Sequence, residues 1–350
     1  GRRYDDPFVQ QFMSTQAFAI GEGPNGMAWV VGADSMLHSP EQLLSEVLRS
    51  IKSDFEKTNG ESISHAVISA PAYFDLHQRG AITMAAKMAG IDVLKIIEEP
   101  SAAALAYSLD KEDKSTVAVF DFGGGTFDVS IMKVRGRKFD PVASAGDPFL
   151  GGMDFDQRIV NWLIDEFEAE TGISREMLNS LAYQRLNELA EAAKIALSSS
   201  DEFLIELPWL VKIGNKTHGV VRTLTRSFME DLCQDLIDRC MKPCHDALDK
   251  ARREMRGRLR IDAVVLVGGM TSMPAIRQAV EAIFGKTPRT DLPPDEAVSY
   301  GAAIMGAAMQ GLTQSISLNE RVSATIGIED ADGLEILPTL PKVDAVVTDP

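Results

Sequence analysis

Three consecutive glycines stand between two aspartates in the segment Asp121-Phe122-Gly123-Gly124-Gly125-Thr126-Phe127-Asp128. The apolar runs 117–120 and 127–134 on either side predict two strands joined by this turn. Successive glycines let backbone N–H groups approach an anion without obstruction by a Cβ atom, whereas a plain hairpin turn needs only one or two glycines. The segment therefore predicts a phosphate-binding turn, with Asp121 and Asp128 placed to hold a hydrated Mg²⁺ or to orient water.

Two further glycine pairs support the same interpretation. Gly151-Gly152 precedes a predicted helix, and Gly268-Gly269 follows the apolar run 263–267. Each pair alone is weak evidence, because glycine is common where strands meet helices, but three such turns indicate one nucleotide held between them. No Gly-x-x-x-x-Gly-Lys-Ser/Thr motif occurs, which excludes a P-loop protein. The segment 21–26 matches Gly-x-Gly-x-x-Gly, but a strand follows it rather than a helix, so a dinucleotide-binding fold is not expected.

Composition and charge limit the classes of protein to which the chain can belong. The chain has 350 residues, with 51 acidic against 35 basic side chains and a net charge of −16. This charge argues against a general nucleic-acid-binding protein, whose surface is basic, and no apolar run is long enough to span a membrane. Strands that alternate with helices predict an α/β protein with a mostly parallel sheet.

A helix is predicted to begin after Ser39, where Pro40 and Gln42 complete a capping box. The apolar residues that follow recur at helical spacing and predict one buried face: Leu43, Leu44, Val47, Leu48, Ile51 and Phe55. A second, long helix is predicted over residues 226–254. It carries the chain's three cysteines, Cys233, Cys240 and Cys244, which are expected to be buried thiols rather than metal ligands because no Cys-x-x-Cys occurs.

A basic run interrupts the acidic chain. It comprises Lys250, Arg252, Arg253, Arg256, Arg258 and Arg260. Such a run is usually the solvated end of a helix, and docking of an acidic partner or of RNA is the open alternative.

Together these motifs resemble the ATPase domain of 70-kDa heat-shock chaperones. The resemblance runs from residue 1 to about residue 308 and is carried by the segments 97–107, 121–128, 150–156 and 267–274. The Gly151-Gly152-Met153 variant looks like the bacterial and mitochondrial branch. The family resemblance implies an α/β, actin-like two-lobed ATPase fold with mixed sheets flanked by helices.

The resemblance also implies roles for individual residues around ATP or ADP and Mg²⁺. Asp121 and Glu99 would hold the hydrated metal, and together with Thr126 and Asp128 they would be the catalytic residues. The nucleotide would be held by Gly123, Gly124, Gly125, Thr126, Gly151, Gly152, Glu191, Lys194, Ser198, Gly268, Gly269, Ser272 and Asp295.

The implied domain organisation is a nucleotide-binding domain over residues 1–310, with lobe I at about 1–112 and lobe II at about 113–308. The last helix of this domain would return to lobe I. A linker would follow over 311–325, and 326–350 would begin a degenerate substrate-binding domain. The family's first phosphate hairpin and its catalytic lysine would precede Gly1, so the domain is expected to be incomplete at its N-terminus.

Some positions depart from the family pattern. Ser272 occupies the place of an arginine that stacks on adenine, Pro148 and Phe149 replace threonine and histidine, and Met153 replaces a glutamate. Two functions therefore stay open: a mitochondrial-type chaperone ATPase involved in protein folding and the stress response, or a degenerate, non-hydrolysing structural subunit of a larger assembly.

The resemblance implies partners as well. These are a J-domain co-chaperone and a nucleotide-exchange factor, with an unfolded client only if a substrate domain follows, and no membrane. The expected location is the mitochondrial matrix, with the cytoplasm as the alternative.

Overall fold

The computed structural model describes residues 2–13, 18–108 and 114–319, together with the backbone of 327–330, 333–336 and 344–346. The chain divides into two compact units, residues 107–297 and residues 1–106 with 298–350. Half of the predicted linker and substrate-binding domain lies outside the described residues, and both stay predictions. Within the described part of the chain, no helix is both long enough and apolar enough to cross a membrane.

The first unit begins with short elements and then alternates strands with helices. Its elements up to residue 108 are α1 (Pro7–Met13), β1 (Ile20–Glu22), β2 (Ala28–Val31), β3 (Leu37–His38), α2 (Pro40–Asn59), β4 (His65–Ala70), α3 (Leu76–Met88), β5 (Asp92–Glu98) and α4 (Glu99–Ser108). Strands β1, β2 and β3 form an antiparallel sheet, and β4 pairs with β5 in parallel. The segment 21–26 is indeed followed by a strand.

The predicted capping box at the start of α2 is confirmed. Ser39 N–H donates to Gln42 Oε1 at 2.8 Å, and Gln42 N–H donates to Ser39 Oγ at 3.2 Å. The predicted buried face of α2 is wrong, because four of its six apolar side chains are exposed: Leu43, Val47, Ile51 and Phe55. Leu48 alone of the six packs on the small cluster of Ala86, Ala89 and Ile91. Helical periodicity identifies an apolar stripe but does not show what covers it.

The second unit is built on four strands that lie side by side in the order β11-β6-β7-β8. Its elements are β6 (Lys114–Phe122), β7 (Phe127–Arg135), β8 (Lys138–Asp147), α5 (Gly152–Thr171), α6 (Ser180–Ala196), β9 (Glu202–Ile213), β10 (Lys216–Thr225), α7 (Arg226–Leu232), α8 (Gln234–Glu254), β11 (Ala263–Val267) and α9 (Pro274–Phe284). β6, β7 and β8 are antiparallel neighbours, and β11 joins β6 in parallel. The sheet is therefore mixed, with more antiparallel pairing than the mostly parallel sheet predicted. The hairpin β9–β10 lies apart from it.

One continuous core joins the sheet of the second unit to its helices. At its centre Phe120, Phe122, Phe127 and Phe155 form a chain of aromatic contacts with ring centroids 4.8–6.2 Å apart. These rings are fully buried, so their packing in the core fixes the ends of β6 and β7 that border the glycine turn.

The predicted helix 226–254 is two helices. Cys233 leaves the helical conformation (φ −109°, ψ 10°) and separates α7 from α8. The break is invisible in the sequence because the apolar spacing continues through it, from Met229 to Cys233 and on to Ile237. All three thiols are buried as predicted, and burial raises the pKa of Cys233 and of Cys240 to about 12. They therefore stay protonated and behave as core residues.

The chain continues with α10 (Ala297–Met309) and then with the strands β12 (Ser317–Asn319), β13 (Gly327–Asp330), β14 (Gly333–Ile336) and β15 (Asp344–Val346). α10 lies against α4 at Gly301, where a Cβ atom would stand 1.9 Å from the carbonyl oxygen of Ala102. Only glycine permits this approach. β12 pairs with β15, and β13 pairs with β14.

Candidate functional site

The glycine turn connects β6 to β7 at one end of the second unit's sheet. Phe122 and Phe127 are the last cross-strand pair before it, and Gly123 N–H donates to Thr126 O at 3.1 Å to close it. Asp121 and Asp128 stand directly opposite each other on the two strands. The predicted order of strand, turn and strand is confirmed, and the turn leaves Gly124 exposed.

The N-terminus of α5 is held against this turn by backbone hydrogen bonds. Gly152 N–H donates to Gly123 O at 3.0 Å, and Met153 N–H donates to Gly124 O at 2.8 Å. A Cβ atom at Gly151 would stand 2.3 Å from the backbone nitrogen of Gly125, so the turn and the helix can approach only through glycine. The first two glycine motifs therefore form one backbone framework.

The third glycine pair approaches the same framework from β11. Gly268 has a φ of +84°, and a Cβ atom there would stand 2.4 Å from the carbonyl oxygen of Phe122. Its N–H donates to Pro294 O at 3.0 Å. Gly269 then opens a short 3₁₀ turn that ends at Ser272. A Cβ atom at Gly269 would meet nothing within 4 Å, so this residue borders open space.

A buried ion pair lies beside the glycines. Lys194 on α6 donates from Nζ to Asp156 Oδ2 at 2.7 Å and to Gly152 O at 3.0 Å. Both side chains of the pair are only 12% exposed. Asp156 Oδ1 is buried and has no hydrogen-bond partner among the described residues. Burial raises the pKa of Asp156, and the charge of Lys194 acts against that rise. Lys194 thus links α6 to the N-terminus of α5.

These elements surround a cavity of about 250 Å³ that lies wholly within the second unit. Its lining residues are Gly123, Gly124, Gly152, Glu191, Lys194, Ile195, Ser198, Gly269, Met270 and Met273. Seven of the ten belong to the predicted nucleotide-binding set, from all three glycine motifs and one face of α6. The structure therefore brings together predicted site residues that are up to 146 positions apart in the chain, from Gly123 to Gly269.

Several other predicted site residues do not line the cavity. Thr126 is half-buried immediately before β7, Ser272 is half-exposed at the end of its 3₁₀ turn, and Asp295 is exposed. Gly125, Gly151 and Gly268 take part in the close backbone approaches described above. Glu99 belongs to the other unit, at the first position of α4.

Asp121 is the carboxylate with the most perturbed environment in the second unit. Burial raises its pKa from 3.8 to about 6. The cause is desolvation, because removal from water disfavours the charged form of a carboxyl group. An ionised Asp121 therefore has a strong electrostatic preference for a nearby cation.

Sequence reasoning missed three apolar lining residues and one acid. Ile195, Met270 and Met273 give the cavity its apolar walls. Ile195 could have been found, because it neighbours Lys194 and follows Glu191 by four positions on the same helix. Asp156 could not have been assigned from spacing, because its partner Lys194 is 38 residues away.

Comparison with protein families matches residues 1–347 of the chain to the family described as Hsp70 protein. The chain belongs to the Hsp70 family. The match covers nearly the whole chain and confirms the resemblance to 70-kDa heat-shock chaperones. The mixed sheets flanked by helices also confirm the predicted α/β class, the actin-like fold of Hsp70 ATPase domains. Hsp70 ATPase domains bind nucleotide; assignment to the bacterial and mitochondrial branch stays a prediction.

Proposed function

We propose that the second unit binds an adenine nucleotide, with the nucleoside in the cavity and the phosphates along the glycine turn. The observation that carries the proposal is the lining itself, which joins Gly123 and Gly124 to Gly269 and to the α6 face. A volume of about 250 Å³ is just below the range of about 300–1,000 Å³ typical of small-molecule pockets. The cavity therefore suits a nucleoside, and the phosphates extend beyond it.

The chemistry of the lining suits the two parts of a nucleotide. Met270, Met273 and Ile195 supply apolar contact for a base. Glu191 and Ser198 supply an acceptor and a hydroxyl for ribose hydroxyls. The exposed backbone of Gly124 leaves room for phosphate oxygens to approach without a Cβ atom in the way.

The side chains of this site fit Mg²⁺ only if the phosphates of a bound nucleotide supply further ligands to the ion. Among the described residues, no group of three or more His, Cys, Asp or Glu side chains is placed to hold a metal ion. Mg²⁺ commonly keeps several waters and takes one or two carboxylates plus substrate phosphates. Within the second unit, Asp121 would hold the ion through water. When bound, the ion would neutralise phosphate charge.

The biological role that follows is that of a chaperone ATPase domain, for which we propose the mitochondrial matrix, a J-domain co-chaperone and a nucleotide-exchange factor. The alternative is a non-hydrolysing structural subunit of a larger assembly. Two observations favour the alternative: Ser272 removes the adenine-stacking guanidinium, and the Met153 side chain, which lies beside Gly125, is apolar where the family has a glutamate.

Calorimetry with ADP and Mg²⁺ tests the binding site. Gly269→Val fills open cavity space at a residue without a strained φ, so we expect the protein to fold and its ADP affinity to fall more than tenfold. Gly269→Ala is the graded control and should weaken binding less. Equal ADP affinity in all three proteins would refute this placement of the nucleoside.

A single-turnover assay with ATP separates the two roles. The ATPase role requires phosphate release that Thr126→Ala abolishes while ADP binding persists. The structural role requires nucleotide binding without turnover, or no binding at all. A family-like rate that Thr126→Ala leaves unchanged would contradict the assignment of Thr126.

A further inference from the structure

The end of the second unit's sheet that lies away from the glycine turn carries more cationic than acidic side chains, the acidic ones being Asp140, Glu254 and Asp262. β6 runs from Lys114 to Phe122, so its first residue lies about 25 Å from the turn at about 3.3 Å per residue. The strand register places Lys114 opposite Arg135 and Thr116 opposite Lys133. The β7–β8 turn continues with Arg137 and Lys138 at this end.

The basic run noted in the sequence reaches the same end. α8 packs along β7 and β8; near its beginning Arg239 pairs with Asp147, which stands opposite Phe127 beside the glycine turn. Its C-terminus at Glu254 lies 15 residues further on. The following loop enters β11, and Asp262 N–H donates to Thr116 O at 2.8 Å. The loop 255–262 and the beginnings of β6 and β11 are thus neighbours.

The arginines in and beside the loop 255–262 are exposed to solvent. Met255 and Leu259 pack on the core, whereas Arg253, Arg256 and Arg258 are exposed. These three arginines make no ion pair with any described residue, while Arg252 pairs with Asp249 and Arg260 pairs with Asp262. Lys250 is excluded because it donates to Ser144 O. The core contacts therefore fix the loop and leave three guanidinium groups available.

We define the basic end as the set of seven cationic residues Lys114, Lys133, Arg135, Lys138, Arg253, Arg256 and Arg258. We propose that it is a docking surface for an Asp- and Glu-rich segment of a partner protein. The guanidinium group pairs with carboxylates through two parallel hydrogen bonds, which lysine cannot do. A local positive surface on a chain of net charge −16 also orients an acidic partner during encounter.

A nucleic acid fits this surface less well. Residues 246–262 contain no aromatic residue, and Phe139 beside the β7–β8 turn is buried, so single-stranded RNA finds no stacking platform. Duplex RNA is an extended polyanion, and beyond the basic end it would meet an acidic protein.

Fluorescence anisotropy on the full chain tests the proposal. The probes are a labelled 12-residue peptide with eight glutamates, the same peptide with glutamines, and 12-nucleotide RNAs in single-stranded and duplex form. The test variant is R253Q/R256Q/R258Q. The matched control, K212Q/K216Q/K286Q, removes the same charge from exposed lysines elsewhere in the unit. Thermal melting and ADP titration establish that both variants fold.

We expect saturable binding of the glutamate peptide at 50 mM salt, a loss of at least tenfold in the test variant and less than twofold in the control. Binding should weaken at 300 mM salt because the charges are exposed. Equal losses in both variants would show that net charge alone attracts the peptide, and would overturn the proposal. So would tighter binding of either RNA, or binding of the glutamine peptide.

Discussion

Replacement of the partly buried carboxylate Asp121 should stabilise the nucleotide-free protein. Burial raises the pKa of Asp121 from 3.8 to about 6, so at pH 7.5 the folded protein carries a desolvated negative charge. The difference between these two values corresponds to about 3 kcal/mol at 1.36 kcal/mol per pKa unit. Asp121→Asn keeps the shape and removes the charge, and we expect its free energy of unfolding to exceed that of the wild type by up to about 3 kcal/mol.

The pH dependence has a definite sign. Because the folded pKa is the higher one, the folded state binds the proton more tightly, and this contribution to stability is lost as pH rises from about 4 to about 6. The advantage of Asp121→Asn should therefore be absent near pH 3.5, grow through this window and be constant above about pH 7.

Urea denaturation at several pH values measures both effects, provided that nucleotide and Mg²⁺ are removed. Asp231→Asn is the control, because Asp231 is an exposed aspartate in the same unit and its replacement should change the free energy of unfolding by less than about 0.5 kcal/mol. A destabilised Asp121→Asn at pH 7.5, or an advantage that does not vary with pH, would refute the argument.

Three further predictions concern the framework and the cavity. Gly151→Ala should cost more than about 2 kcal/mol of stability, because its Cβ would overlap the backbone of the glycine turn, while Gly124→Ala, with open space around it, should cost far less in the same denaturation assay. Lys194→Met should destabilise the protein by roughly 3 kcal/mol at pH 8 and by less as the pH is lowered, because burial raises the pKa of Asp156 and the variant lacks the lysine charge that opposes this rise; a loss that does not change with pH would contradict this. Ser272→Arg should tighten ADP binding up to tenfold, about 1.4 kcal/mol, by restoring a cation–π contact with adenine, and unchanged affinity in calorimetry would count against the adenine placement.

The sequence was most informative where one residue type is physically required. Gly151 and Gly268 occupy positions that a Cβ atom could not, and glycine runs at strand ends predict such close approaches. The capping box at Ser39 was also predictable, because its hydrogen bonds join residues three positions apart. In each case the residue type itself carries the signal, whether its partner is near in the chain, as at Ser39, or distant, as at Gly268.

Features set by distant partners escaped prediction. The ion pair of Lys194 with Asp156 joins two helices, and nothing in the sequence near either residue indicates that the two are partners. The break at Cys233 has no signal in the sequence, since the apolar spacing runs through it unchanged. The prediction of a buried face on α2 was wrong for a different reason. The helical periodicity is clear, but burial depends on which other elements pack against the helix.

That exposed face of α2 affects how the chain should behave in concentrated solution. Leu43, Val47, Ile51 and Phe55 follow one another at four-residue intervals, so they form a continuous apolar ridge about 18 Å long at 1.5 Å per residue. At low ionic strength a net charge of −16 keeps molecules apart. Salt shortens the reach of that repulsion to about 10 Å at 0.1 M and leaves the attraction between ridges intact. Solubility should therefore fall as salt is added, the reverse of the salting-in that a highly charged surface would give alone.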